Sequence, residues 1–341
     1  MRISKILTVV VALSVGPACA ETSLHGTGST LAGPLYQKWA AEYRQAQKDV
    51  KVQYEWKDSS EGVDKALHHG SDFAVVDTPF TLEEERLAQS RAILHLPVAL
   101  QAVAITYNLP GIPTGLKLSP TVISGIFMGT IKKWNDSDIK ALNPGVDLPG
   151  LEIRVIHREE ESSLHDLFPS FLAKQDPKWT LKRERERKLH WPVGQNVKGN
   201  DKVLEKLRLW PGVIAAVDLT YATQKNLPVA ALKNEAGEFV MPTAESLTAS
   251  LAGFQNLPED FEVNLTQSRS KDAYPLCAFS YLLVHQNYFD ITHDHKRAKA
   301  LVDFLNWVLT DGQKLEGDLS YAPLPDPFLP QVKEKAQAIK Y

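Results

Sequence analysis

Two long apolar runs lie roughly 170 residues apart in this chain, and they limit its fold more than any other feature. The first passes from Leu96 to Asn108 (LPVALQAVAITYN) and the second from Ala273 to Val284 (AYPLCAFSYLLV). Both read as extended strand. The first exceeds the usual strand length of roughly 3–10 residues, too long for one compact lobe. Such a pair fits a chain that leaves one lobe, builds a second, and returns. Shorter segments alternate around these runs. Leu31, Leu35, Trp39 and Tyr43 recur at helical spacing and predict a helix over 31–44. A strand is expected over 50–56, a helix over 61–69, a buried strand over 71–76 ending at Asp77, and a helix over 82–92. The intervening segment carries its own strands at 152–157 and 212–217. This alternation predicts α/β lobes with mostly parallel sheets. Ligands in such sheets sit at the carboxyl ends of strands, beside helix N-termini.

The N-terminus reads as an export signal. Arg2 and Lys5 precede an apolar stretch from Ile6 to Val15, and Ala18-Cys19-Ala20 is a small-x-small cleavage site. The stretch is too short to span a bilayer. Gly16-Pro17-Ala18 lacks the Leu that lipid attachment at Cys19 would usually place three residues ahead, so cleavage after Ala20 and a periplasmic location are expected. A mature chain of about 320 residues is long enough for two lobes, each burying a core. Cleavage leaves Cys277 as the remaining cysteine, so no intramolecular disulfide is expected, and its apolar context predicts a buried small hydrophobe. The net charge of −3 gives no reason to expect nucleic acid or an anionic membrane as partner. The mixed charges of 182–188 (KRERERK) read as a solvated surface.

Three segments place hydroxyl side chains just ahead of an expected helix: Gly26-Thr27-Gly28-Ser29-Thr30, Asp58-Ser59-Ser60, and Ser162-Ser163 after Arg158. A helix N-terminus has unpaired N–H groups and roughly half a positive charge, which suits an anion. Three together, one beside an Arg, predict a pocket for a small oxyanion. Asp77 has two readings. It caps the helix that begins near Thr81, or it accepts a hydrogen bond from a ligand that still carries a proton, which monohydrogen phosphate does and sulfate does not. Arg158 is either paired with Glu159, Glu160 or Glu161, or clamps a tetrahedral oxyanion through two N–H groups. Enzyme chemistry finds little support. Ser59 lacks a nucleophile-elbow context, and His68-His69 and His293-x-His295 bring no third metal ligand at a convincing spacing. No metal or cofactor is expected.

Longer segments then carry a resemblance. They include Tyr36-Gln37-Lys38-Trp39, Asp72 to Pro79 (DFAVVDTP), Ile126 to Asp136 (IFMGTIKKWND), Leu142-Asn143-Pro144-Gly145, Trp191-Pro192-Val193-Gly194, Lys198-Gly199-Asn200, Pro211-Gly212-Val213-Ile214 and Tyr321-Ala322-Pro323-Leu324-Pro325. Across nearly the whole mature chain the sequence resembles the periplasmic phosphate-binding proteins of high-affinity phosphate ABC importers. The resemblance implies a type II periplasmic binding fold, in which two α/β lobes joined by two crossover strands close on a ligand cleft. It places one lobe over 21–103 plus 272–341 and the other over 104–271. It implies no enzyme activity, phosphate or a related oxyanion as ligand, an importer permease as partner, and a monomer. By position, Thr30, Leu31 (backbone), Ser59, Ser162, Ser163 (backbone) and Leu164 (backbone) would donate to the anion. Asp77 would read its proton and Arg158 would clamp it.

The chain departs from the family at the third helix start. The usual D-G-S-G-T after the Arg is Glu160-Glu161-Ser162-Ser163-Leu164 here, so a Thr hydroxyl and two glycines are lost. Family glycines are also replaced at Glu61, Ala74, Val197 and Ala215. The alternative expectation is therefore a divergent relative that serves as a sensor or extracytoplasmic interaction protein, with weak or no phosphate binding.

Overall fold

A computed structural model describes residues 21–78, 80–159, 164–172, 179 and 191–341. The expected signal segment, Glu160 to Ser163 and the charge run at 182–188 lie outside the described residues. The first third of the chain alternates strand and helix: β1 (Thr22–Ser29), α1 (Gly33–Ala46), β2 (Val50–Lys57), α2 (Ser59–Leu67), β3 (Phe73–Val76) and α3 (Leu82–Ser90). Next comes β4 (Ile93–Tyr107), buried at every position. The middle of the chain adds β5 (Lys117–Leu118), α4 (Pro120–Phe127), α5 (Ser137–Leu142), β6 (Arg154–Arg158), α6 (Leu164–Leu172), β7 (Gln195–Val197), α7 (Gly199–Leu209), β8 (Val213–Asp218) and α8 (Leu219–Gln224). After β9 (Ala231–Lys233), β10 (Phe239–Val240) and α9 (Ala244–Thr248), the chain returns through β11 (Cys277–His285). It ends with α10 (Tyr288–Thr292), α11 (His295–Val308) and α12 (Leu329–Ala336).

Eight strands form one sheet in the order β2-β1-β3-β11-β4-β8-β6-β7. The long apolar run accounts for its continuity. Residues 93–102 of β4 pair antiparallel with β11, and Val103–Tyr107 pair antiparallel with β8. One strand thus serves two α/β lobes. The returning crossover lies beside it, where the Tyr274 hydroxyl donates to the Val103 carbonyl (2.9 Å) and the Val103 N–H donates to Leu276 (3.0 Å). Side chains such as Leu96, Val98, Leu100, Val103, Ile105, Phe279 and Leu282 are at most 1% exposed. Burying each contributes about 1.5–3 kcal/mol, and a one-residue slip would turn the whole set over.

Several element ends differ from expectation. The first helix starts at Gly33 rather than Leu31. Residues 30–32 form a turn instead, in which the Ser29 hydroxyl accepts from the Ala32 N–H (3.0 Å) and the Tyr321 hydroxyl donates to the Leu31 carbonyl (2.6 Å). Pro34 then suits the first turn. The second helix starts earlier, at Ser59, because the Asp58 carboxylate accepts from the Glu61 N–H (2.8 Å) as an N-cap. The strand expected over 152–157 is β6, which ends at Arg158. Cys277 is fully buried, and burial pushes its thiol up to about 12. Among the described residues no helix is long and apolar enough to cross a membrane.

Candidate anion-binding site

The carboxyl ends of the parallel strands gather the polar groups. Ser29 closes β1, Asp77 follows β3 directly, Ser59 opens the helix after β2, Arg158 closes β6, and Asp218 closes β8. Two glycines permit the close packing behind them. Gly28 has φ +127°, and a Cβ there would lie 2.1 Å from the Val75 carbonyl oxygen. A Cβ on Gly62 would lie 2.8 Å from that same oxygen. α2 therefore packs on β1 and β3 at backbone distance, which sets Ser59 against Asp77. The Ser59 hydroxyl donates to Asp77 Oδ2 (3.2 Å) and accepts from the Asp77 N–H (3.3 Å).

Asp77 is 1% exposed. A carboxylate is costly there without donors. Besides Ser59, the Gln101 amide on β4 donates to its Oδ1. The capping reading of Asp77 does not hold. Thr81 caps α3 instead, in a capping box with Glu84. Thr30 lies in the turn after β1, with its hydroxyl buried and without a partner among the described residues. Leu31 is buried in the same turn.

On the other side, Arg158 stands half-buried at the end of β6. Burial pushes the Asp218 carboxyl up, while the Arg158 charge and the Asn200 amide (3.1 Å) draw it back down. Tyr321 feels charges from both sides. Burial raises its phenol far above the ordinary range, and the charges of Asp218 and Asp77 both add to that. The Thr220 hydroxyl on α8 donates to the Leu319 carbonyl (2.6 Å). Beside Asp77 a cavity of about 150 Å³ is bounded by Thr78, Phe80, Phe279 and Tyr281, and by Leu167 of α6. Leu164 is the first residue of α6, while Ser162 and Ser163 lie outside the described residues.

Ser59 and Asp77 are thus bonded to each other at one strand end, Thr30 stands in the turn after β1, and Arg158 closes β6. Sequence reasoning overlooked Gln101, Asp218 and Tyr321. Gln101 had a visible signal, as an amide in the interior of a mostly apolar run. The arrangement suits holding an oxyanion. Ser59 spends its hydroxyl hydrogen on the Asp77 carboxylate, and among the described residues no three His, Cys, Asp or Glu side chains are grouped.

Comparison with known proteins bears on the same point. The model of the PBP superfamily domain matches residues 14–312. The chain is 35% identical over 307 residues to the phosphate-binding protein PstS of Methanocaldococcus jannaschii, covering 85% of this chain and 79% of that protein. It is 32% identical over 327 residues to PstS of Xylella fastidiosa, covering 94% and 87%. Among solved structures, a putative phosphate ABC transporter substrate-binding protein from Clostridium perfringens with bound phosphate superposes with a TM-score of 0.62. It is 16% identical, over 89% of this chain and all of that one, so the likeness speaks to the fold alone. With a PBP-type two-lobed fold and relatives of this identity along most of its length, the chain belongs to the PstS family of phosphate-binding proteins, within the PBP superfamily.

Proposed function

We propose that this chain captures inorganic phosphate, or a closely related oxyanion, between its lobes and hands it to an ABC importer. The observation that carries the reading is Asp77, an almost fully buried carboxylate at a strand end, held by donors from Ser59 and Gln101. Such a group repels an anion without a proton and accepts from one that has it. The relatives' shared name, phosphate-binding protein, supports the same ligand. The lobes of this reading are 21–103 plus 272–341 and 104–271. Thr30, Leu31 and Ser59 donate from the first lobe, and Arg158, Ser162, Ser163 and Leu164 from the second. Closure about the crossovers buries the ligand, and the closed form is what the permease recognises. The protein binds without chemistry, as a monomer, in the periplasm, after cleavage following Ala20.

Calorimetric titration of the Asp77→Ala and Arg158→Ala variants tests the assignment. Losing a hydrogen bond to a charged ligand costs ~1.5–3 kcal/mol, so each variant should bind phosphate roughly ten- to a hundredfold more weakly. Unchanged affinity in both would contradict the assignment. It would favour the other reading, a sensor or interaction protein, which the altered segment Glu160 to Leu164 motivates.

A further inference from the structure

Gln101 is fully buried in the middle of β4, the strand shared by the two lobes. An apolar side chain would fill that space without the cost of desolvating an amide. The amide has a defined use. Its nitrogen carries two hydrogens and faces two acceptors, the Phe279 carbonyl on β11 (3.2 Å) and Asp77 Oδ1. Its oxygen is buried with no partner among the described residues. The orientation follows from this, since the flipped amide would set an oxygen against two acceptors. Phe279 belongs to the sheet backbone, so one N–H anchors the amide and the other is aimed at the carboxylate.

We propose that Gln101 is the specificity-determining positioning residue of the site, holding Asp77 as an ionised acceptor so that a proton-bearing oxyanion is taken and a proton-free one refused. The inference rests on the function proposed above. A donor fixed on Oδ1 favours the charged carboxylate. An ionised Asp77 can only accept, so a ligand meets it by giving a hydrogen. Without the Gln101 donor, Asp77 takes up a proton more readily. It then donates instead of accepting, and a bare anion such as sulfate becomes acceptable.

The surroundings leave Asp77 as the group that would switch. The phenols of Tyr36 on α1, Tyr54 on β2, and Tyr321 feel its charge, and burial raises all three far above neutrality. Glu316, whose charge would act on Tyr36, has its own pKa raised by burial. The Arg158 charge acts on the buried Asp218 carboxyl.

The test compares phosphate and sulfate binding by calorimetry at about pH 5 and about pH 8, in the unsubstituted protein, Gln101→Met and Gln101→Glu, each checked for folding by thermal melting. Methionine keeps the length and removes both donors. Gln101→Met should lose at least roughly tenfold of the preference for phosphate at about pH 5, mainly by gaining sulfate binding. Gln101→Glu keeps the shape and sets a second carboxyl against the first. The second carboxyl gives up its proton more readily at about pH 8 than at about pH 5, so phosphate should bind more weakly at the higher pH. A merely structural amide would predict weaker phosphate binding in folded Gln101→Met with sulfate still refused, and that result would overturn the proposal. So would a Gln101→Glu variant with the unsubstituted protein's pH dependence. Failure of the unsubstituted protein to bind phosphate would instead sink the function on which the inference rests.

Discussion

Glu316 is fully buried between the short helical turns Gly312–Leu315 and Gly317–Leu319, and neither carboxyl oxygen has a partner among the described residues. Burial raises its pKa well above the ordinary value, which favours the protonated form in the fold. In the unfolded chain it ionises at about pH 4.3. Above that point the folded state holds one proton more than the unfolded one, and stability falls as pH rises towards the folded pKa. Glu316→Gln removes this linkage while keeping the shape. Its melting temperature should exceed that of the unsubstituted protein at about pH 8 and nearly match it at about pH 4. Equal melting temperatures at the higher pH would contradict the account. Residues of this kind are hard to read from sequence. Asp77 stood out because it ends an apolar strand. Gln101 and Glu316 owe their character to partners, or to a lack of them, far away along the chain. Gln101 meets Phe279 and Asp77 only because β3, β11 and β4 are neighbours in the sheet.

At the scale of the element, the glycine at the end of β1 matters most. Gly28 combines φ +127° with the Val75 carbonyl lying where a Cβ would go, and Gly62 of α2 packs against the same point. Gly28→Ala should destabilise the fold by more than about 1 kcal/mol, because backbone rather than a flexible side chain must move. It should also weaken anion binding by pushing α2, and so Ser59, away from Asp77. Urea denaturation and a phosphate titration on the same sample check both, and an unchanged urea midpoint would contradict the packing. Local signals were legible here. The Thr81–Glu84 capping box starts α3, and the apolar run after it is β4. The turn at 30–32 was not, since Tyr321, 290 residues away, holds the Leu31 carbonyl and so helps keep the turn out of the helix. No local pattern could report that contact.

For the whole molecule, the two apolar runs were enough to foresee two lobes and a returning chain, because a strand as long as β4 can be satisfied only by two sets of neighbours. Shared burial also ties stability to acid. His95, stacked on Tyr281 at 3.9 Å, is pushed down to about 3 by burial, and His157 and His285 are lowered by the same cause. In the unfolded chain each takes up a proton near pH ~6.5, which the fold resists. The histidines' contribution to stability should therefore be complete above that value and decline as pH falls through the window down to about 3 set by His95. His95→Phe should flatten part of that decline in urea midpoints, and a curve as steep as before would contradict the assignment.

The central claim is that two lobes close on an oxyanion that still carries a proton. Its most direct test is calorimetric titration of the phosphate-stripped mature protein, at about pH 8, with phosphate and then with sulfate. The account predicts one-to-one binding of phosphate with micromolar or tighter affinity, and no heat with sulfate. Heat with neither anion from a folded sample, or equal affinity for both, would contradict it.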